Sequence, residues 1–198
     1  MTTNILVLGN DPFINHIDFF KLNPSIITLG VNRIWLKHIP NYFFFNDIPI
    51  ATELAKYPEI LDQLKKESFS FSSDWITSKT TELAPDWTAI YDRLYHTGLP
   101  DSVTTAISIF SKDIMPNKAI TFYIAGVSLK WQEPSHFWKT LPHESLNRHD
   151  REWYDPRFEA ILKNFDRLKS SGIKMVSVTP NSMLNKIMRY EKIENLYL

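Results

Sequence analysis

The chain contains no cysteine, which removes disulfides, thiolate metal sites and thiol nucleophiles together and fits a reducing compartment. An excess of one charge is also missing. The 22 lysines and arginines offset 22 aspartates and glutamates, so no broad field draws the protein to nucleic acid, although a short basic groove is compatible with that balance. No apolar run approaches the ~20 residues of a membrane-spanning helix, and the first residues lack a basic segment followed by a long apolar core. The expected setting is cytoplasmic, at most peripheral to a membrane. Glycine is scarce, with five in 198 residues. Neither the Gly-x-Ser-x-Gly elbow of serine hydrolases nor the Gly-x-x-x-x-Gly-Lys phosphate loop occurs. Asp-x-Asp, the pair that holds the diphosphate cation in metal-dependent glycosyltransferases, is absent too. His143 and His149, with Glu144 and Asp150 beside them, are the nearest approach to a ligand set. We read them as ordinary loop residues and expect no metal.

Apolar strands that stop at polar turns are present. Ile5-Leu6-Val7-Leu8 ends in Gly9-Asn10-Asp11-Pro12, Ile26-Ile27-Thr28-Leu29 in Gly30-Val31-Asn32, and Tyr42 to Phe45 in Asn46-Asp47. Three strands thus close on an asparagine, whose amide both donates and accepts without charge and suits the edge of a base or ribose. With 43% hydrophobic residues, the length fits one domain with a sizeable core. Strands alternating with helical stretches predict an α/β fold: one Rossmann-like domain over 1–198, with a mainly parallel sheet flanked by helices. In such sheets, ligands gather at the carboxyl ends of the strands.

Further along, residues 50–66 read as helix divided or kinked at Pro58, and 69–71 as a short strand. Val103, Ala106, Ile107 and Phe110 recur at helical spacing behind a cap at Asp101 or Ser102. Ala119 to Ala125 is a strand that ends at Gly126-Val127-Ser128. Residues 130–154 lack periodicity and read as a lid or acceptor-binding loop. Its aromatics, Trp131, Phe137, Trp138, Trp153 and Tyr154, suit stacking on sugars or bases, or pinning the loop to the domain. Asp155-Pro156 reads as a cap and first position of a helix with a stripe from Phe158 to Leu168, closed by Gly172. A strand at 173–178 follows, then a helix with Leu184, Ile187 and Met188 inward.

In this order the motifs resemble the bacterial CMP-sialic acid-dependent sialyltransferase family that includes the Campylobacter lipooligosaccharide enzymes. Gly9-Asn10-Asp11-Pro12 is similar to its Gly-Asn-Gly-Pro-Ser turn, and Asn32 to its Cys-Asn element. Thr97-Gly98 resembles its Thr-Ser-Gly segment, Phe122 to Val127 its strand ending in Ser-Gly-Ile-Asp, and Val178 to Leu184 its Cys-Pro-Asn-Ser-Leu-Leu. The resemblance implies a metal-independent transferase with a CMP-linked donor and a saccharide or other hydroxyl acceptor. It implies nucleotide contacts at Gly9, Asn10, Asn32, Thr97, Gly98 and Gly126, and a general base at His149, with His136 its rival. An imidazole of ordinary pKa can take a hydroxyl proton near neutrality. Ser128, Lys130, Arg148 and Tyr154 become candidate phosphate or acceptor contacts. The chain departs from the pattern at Asp11, Phe13 and Ser128; an anionic Asp11 beside a phosphate is unfavourable unless it points away. Those departures admit a nucleotide-binding protein without catalysis as the alternative. Transfer onto a modified DNA base is a third reading, not favoured by the neutral charge.

Overall fold

The computed structural model describes residues 2–73, 91–95, 101–132, 134, 136–137 and 151–198, without the side chains of Ile48 and Trp153. Its frame is one eight-stranded sheet of β1 (Thr3–Leu8), β2 (Ile27–Val31), β3 (Tyr42–Phe44), β4 (Phe69–Ser73), β5 (Arg93–Tyr95), β6 (Ile120–Ala125), β7 (Lys174–Ser177) and β8 (Arg189–Tyr190). The spatial order is β5-β4-β3-β2-β1-β6-β7-β8, and every neighbouring pair is parallel. This is the α/β Rossmann-like arrangement read from the strand pattern.

Alternation along the strands builds two cores, one on each face, because successive side chains point to opposite sides of a pleated sheet. Ile5 and Val7 join Leu29, Val31, Phe44, Phe122 and Ile124 in the first. Leu6, Leu8, Phe43, Phe45 and Ala125 lie in the second. The first face is covered by α3 (Ser102–Ile109) and α4 (Arg151–Ser170), through Ala106, Ile107, Phe165 and Leu168. The second is covered by α1 (Ile48–Leu54), α2 (Pro58–Glu67) and short 3-10 turns at Pro12–His16, Asn32–Leu36 and Ile193–Leu196.

Local chemistry sets several boundaries. Pro58 has no N–H for the carbonyl of Leu54, so α1 stops and α2 restarts with the proline in its first turn. Asp101 caps α3, its Oδ1 accepting from Thr104 N at 2.8 Å. Its other oxygen accepts from Asn164 Nδ2 of α4 at 2.9 Å, and desolvation raises the pKa of this carboxyl despite those donors.

Three expectations need correction. Pro156 lies inside α4, one turn from Arg151, rather than at the helix start. It forfeits the bond to the carbonyl of Glu152, while Arg151 and Asp155 pair across that turn at 3.0 Å. Residues 151–154 are therefore helix, not the end of a loop. The expected helix after Ser182 is a single 3-10 turn, Met183–Lys186, because the chain then extends into β8. Leu184 and Met188 are nevertheless buried. Gly30 lies within β2 rather than in the turn after it. Among the described residues no helix is long and apolar enough to cross a membrane.

Candidate functional site

Strand order reverses direction between β1 and β6, and in open α/β sheets the crevice outside the carboxyl ends at such a point is where ligands bind. The turns that form this crevice touch backbone to backbone. Gly9 N donates to Ala125 O at 2.8 Å and Asp11 N to Gly126 O at 2.9 Å. A Cβ on Gly9 would stand 2.3 Å from the Gly126 oxygen, so no other residue fits without moving the chain. Gly126 takes φ +68°, the left-handed region that glycine enters without steric cost.

Asn10 and Asn32 project from the next positions of neighbouring turns. Leu8 of β1 is in register with Gly30 of β2, and each asparagine follows its strand residue by two. Asn32 is at φ +54°, a conformation asparagine tolerates better than most side chains. The amide oxygens of both residues are buried and have no hydrogen-bond partner. Buried polar atoms are usually paired; Ser68 Oγ, Ser177 Oγ and Asn185 Oδ1 are also without a partner, and Asn10 and Asn32 stand out in lying past the carboxyl ends of adjacent strands. Asn46, past β3, is different: its oxygen accepts from the Ser73 hydroxyl at the end of β4.

Asp11 is turned into the protein. Its Oδ1 accepts from Phe13 N at 2.8 Å and its Oδ2 from the Gln132 amide, which occupies both oxygens away from any anion in the crevice. Phe137 closes over the same turn. Fully buried, it donates its N–H to Asn10 O at 2.9 Å and accepts from Asn15 Nδ2 at 3.3 Å. Of the two roles open to the loop aromatics, Phe137 takes that of a pin.

Beside it the His136 Nε2 lies 3.1 Å from the Tyr154 hydroxyl. The Tyr154 ring is 5.7 Å from both Trp131 and Phe158, centroid to centroid. Ser128 Oγ donates to Lys130 O at 3.4 Å. The Ser128 carbonyl accepts from Met183 N at 2.8 Å, and Ser182 Oγ bonds Val127 O at 2.7 Å, so the turn after β7 braces the turn after β6. A cleft of about 450 Å³ opens between Lys130, Trp131 and the α4 residues Arg151, Asp155, Phe158 and Glu159.

Of the site residues expected from sequence, the structure gathers Gly9, Asn10, Asn32, Gly126, Ser128, Lys130 and Tyr154 along the carboxyl edge of the sheet and the adjoining start of α4. Thr97, Gly98, Arg148 and His149, most of the expected lid and Trp138 lie outside the described residues, as does the side chain of Trp153. Sequence reasoning missed Gln132 and Asn15, whose partners lie 121 and 122 positions away. Among the described residues no three His, Asp or Glu side chains converge on a possible metal position.

No family model and no curated protein sequence matches this chain. Solved structures do. The sialyltransferase CST-II, crystallised with a trisaccharide acceptor and CMP, aligns at a TM-score of 0.58 with 14% identity, over 98% of this chain and 88% of its own. The alpha-2,3-sialyltransferase from Campylobacter jejuni in its apo form aligns at 0.55 with 15% identity, over 100% and 82%. Cst-I from the same organism aligns at 0.52 with 16% identity, again over 100% and 82%. At this identity the likeness establishes a shared fold.

Proposed function

We propose that the chain is a glycosyltransferase that binds a nucleotide sugar in the β1/β6 crevice, with a CMP-linked donor favoured. The observation that carries this reading is the pair of buried, unpartnered amide oxygens on Asn10 and Asn32. A cytosine amino group and ribose hydroxyls are donors of the kind those oxygens lack. Gly9 and Gly126 let the turns after β1 and β6 lock backbone to backbone and so form the crevice, and Thr97 and Gly98 complete the nucleotide contacts. The likeness of fold to enzymes crystallised with CMP supports the same donor class.

In the proposed reaction the acceptor hydroxyl oxygen attacks the anomeric carbon and the bond from that carbon to the phosphate oxygen breaks. The nucleotide leaves with the electron pair, and His149 takes the hydroxyl proton. Direct displacement inverts the anomeric centre. Ser128, Lys130, Arg148 and Tyr154 are placed by this reading at the departing phosphate or the acceptor, and residues 130–150 exclude water. No metal is required in this scheme.

Thermal stabilisation by CMP, UMP, UDP, GDP and their sugar conjugates, measured with a chelator present, tests the binding step. A specific shift with CMP or its conjugates is expected, and silence toward every nucleotide would sink the proposal. His149→Ala should abolish transfer and leave donor stabilisation intact; parallel loss of both would remove the histidine from the base role. Strong stabilisation without turnover on any acceptor would identify a nucleotide-binding protein instead.

A further inference from the structure

We infer that a second cavity, belonging to the opposite face of the sheet from the α4 cleft, binds a free aromatic α-amino acid. About 460 Å³ in volume, it is lined by Phe13, Pro180, Tyr190, Lys192, Ile193 and Glu194. These residues come from the 3-10 turn after β1, the turn after β7, β8 and the last 3-10 turn. Phe13 and Ile193 pack in the second core, whereas Phe158, Leu162 and Met183 of the α4 cleft pack in the first. The size lies in the lower part of the roughly 300–1,000 Å³ of small-molecule sites.

Most of the wall is suited to a ring. Phe13 contributes aromatic surface from the β1 side and Tyr190, 41% exposed, from the β8 side. Among the described residues the Phe13 ring meets only His16, at 6.4 Å between centroids, and the Tyr190 ring meets no other. Both rings are thus available to an aromatic ligand in the offset or edge-on arrangements that such pairs prefer. Pro180 and Ile193 add aliphatic surface beside them.

The remaining two lining residues carry one charge of each sign. Lys192 and Glu194 flank Ile193 at the start of the last 3-10 turn, and both are exposed. Neither side chain has an ion-pair or hydrogen-bond partner among the described residues. A ligand with a single charge, a phosphate included, is attracted by one of them and repelled by the other. A free α-amino acid holds an ammonium and a carboxylate on one carbon, so it can donate to Glu194 and accept from Lys192 in charge-assisted hydrogen bonds. A residue inside a peptide has neither group and a chain terminus has one, which singles out the free amino acid.

Calorimetric titration of the full chain with L-phenylalanine and L-tryptophan tests this, with L-alanine, N-acetyl-L-phenylalanine and L-phenylalaninamide as comparisons. At least one aromatic amino acid should bind, and L-alanine, which has the charges without the ring, should not. The acetylated and amidated forms should bind about tenfold more weakly than L-phenylalanine, each having lost one charge-assisted hydrogen bond. Glu194→Gln should remove the discrimination against the acetylated form, and Lys192→Gln that against the amide. Both residues are exposed, so the two variants should fold as the parent does; an unchanged thermal midpoint checks this. Failure of both aromatic amino acids to bind, binding of L-alanine equal to theirs, or discrimination unchanged in either variant would overturn the inference.

Discussion

Asn10 and Asn32 on one side of the sheet's carboxyl edge and Asn46 on the other occupy like positions, each just past an apolar strand, and yet their amides are treated differently. Asn46 is matched to Ser73, and both are buried. The oxygens of Asn10 and Asn32 are buried with nothing to accept from. On the flank from β2 outward Asn46 is therefore paired within the fold, whereas Asn10 and Asn32, nearest the switch point, carry a desolvation cost that a ligand could relieve. Residue type and strand position do not tell which of the three asparagines is paired; the hydrogen bonds of the folded chain do.

The flank should show the largest loss when its pairing is broken. Arg33 and Glu53, 4% and 2% exposed, form a two-pronged pair with both N···O distances at 2.6 Å, tying the turn after β2 to α1. Glu53→Gln should cost about 3–5 kcal/mol in urea unfolding, because it strands a buried guanidinium. The double variant Arg33→Met/Glu53→Leu should recover most of that loss. Recovery would show that the pair specifies the turn rather than stabilising the fold, and no recovery would mean that its geometry itself is required.

At the switch point the equivalent break is steric. Gly9→Ala would set a methyl 2.3 Å from a backbone oxygen and should cost about 3 kcal/mol, the upper end of ordinary overpacking. It should also weaken CMP stabilisation in proportion. Full stability in this variant would mean that the two turns slide freely, against the closeness of Gly9 and Gly126.

The asparagines sharpen the contrast most directly. Asn46→Ala leaves the buried Ser73 hydroxyl without its acceptor and should cost about 1–3 kcal/mol. Asn10→Ala removes an atom that was already unpaired, so the unliganded protein should be as stable as before, or slightly more so, while its response to CMP disappears. At Asn32 the glycine variant is the fair comparison, because alanine would add strain at φ +54°. Destabilisation of the unliganded protein by Asn10→Ala equal to that by Asn46→Ala would erase the distinction.

These differences also mark what a sequence can disclose. The long apolar runs of β1, β2, β3 and β6 announce themselves, and so does the break at Pro58. β5 and β8 do not, because three residues (Arg93–Tyr95) and two (Arg189–Tyr190) are too short and too polar to display a period. Asp155-Pro156 imitates a helix start closely enough to hide that α4 already includes Arg151. Strand-end asparagines are visible as candidates, but their pairing is not. Ser73 lies 27 positions from Asn46 and Gln132 lies 121 from Asp11, and such partners meet only once the sheet has formed.

The smallest expected effect belongs to the flank and depends on pH. His38 stacks on Phe19 at 4.3 Å between ring centroids, with an interplanar angle of 6°, and its Nε2 is 3.4 Å from Thr28 Oγ1. That hydroxyl is 3.0 Å from Asn41 Oδ1, its acceptor, and accepts from Asn41 N at 2.9 Å. The imidazole is then the donor in its contact with Thr28, and the neutral tautomer carries its proton on Nε2. Burial lowers the pKa of this ring, so the unfolded chain binds the proton more readily than the folded one. The histidine's contribution is accordingly whole above the ordinary value of about 6.5 and is lost as pH falls through it toward the lower folded value. His38→Phe, which retains a ring against Phe19, should flatten the decline in urea midpoint between about pH 7.5 and 5.5 relative to the parent chain. An unchanged slope would mean that the ring stays solvated enough to titrate normally. Binding of CMP at the switch point should be indifferent to this substitution, since neither Asn10 nor Asn32 shares a hydrogen bond with the His38–Thr28–Asn41 cluster.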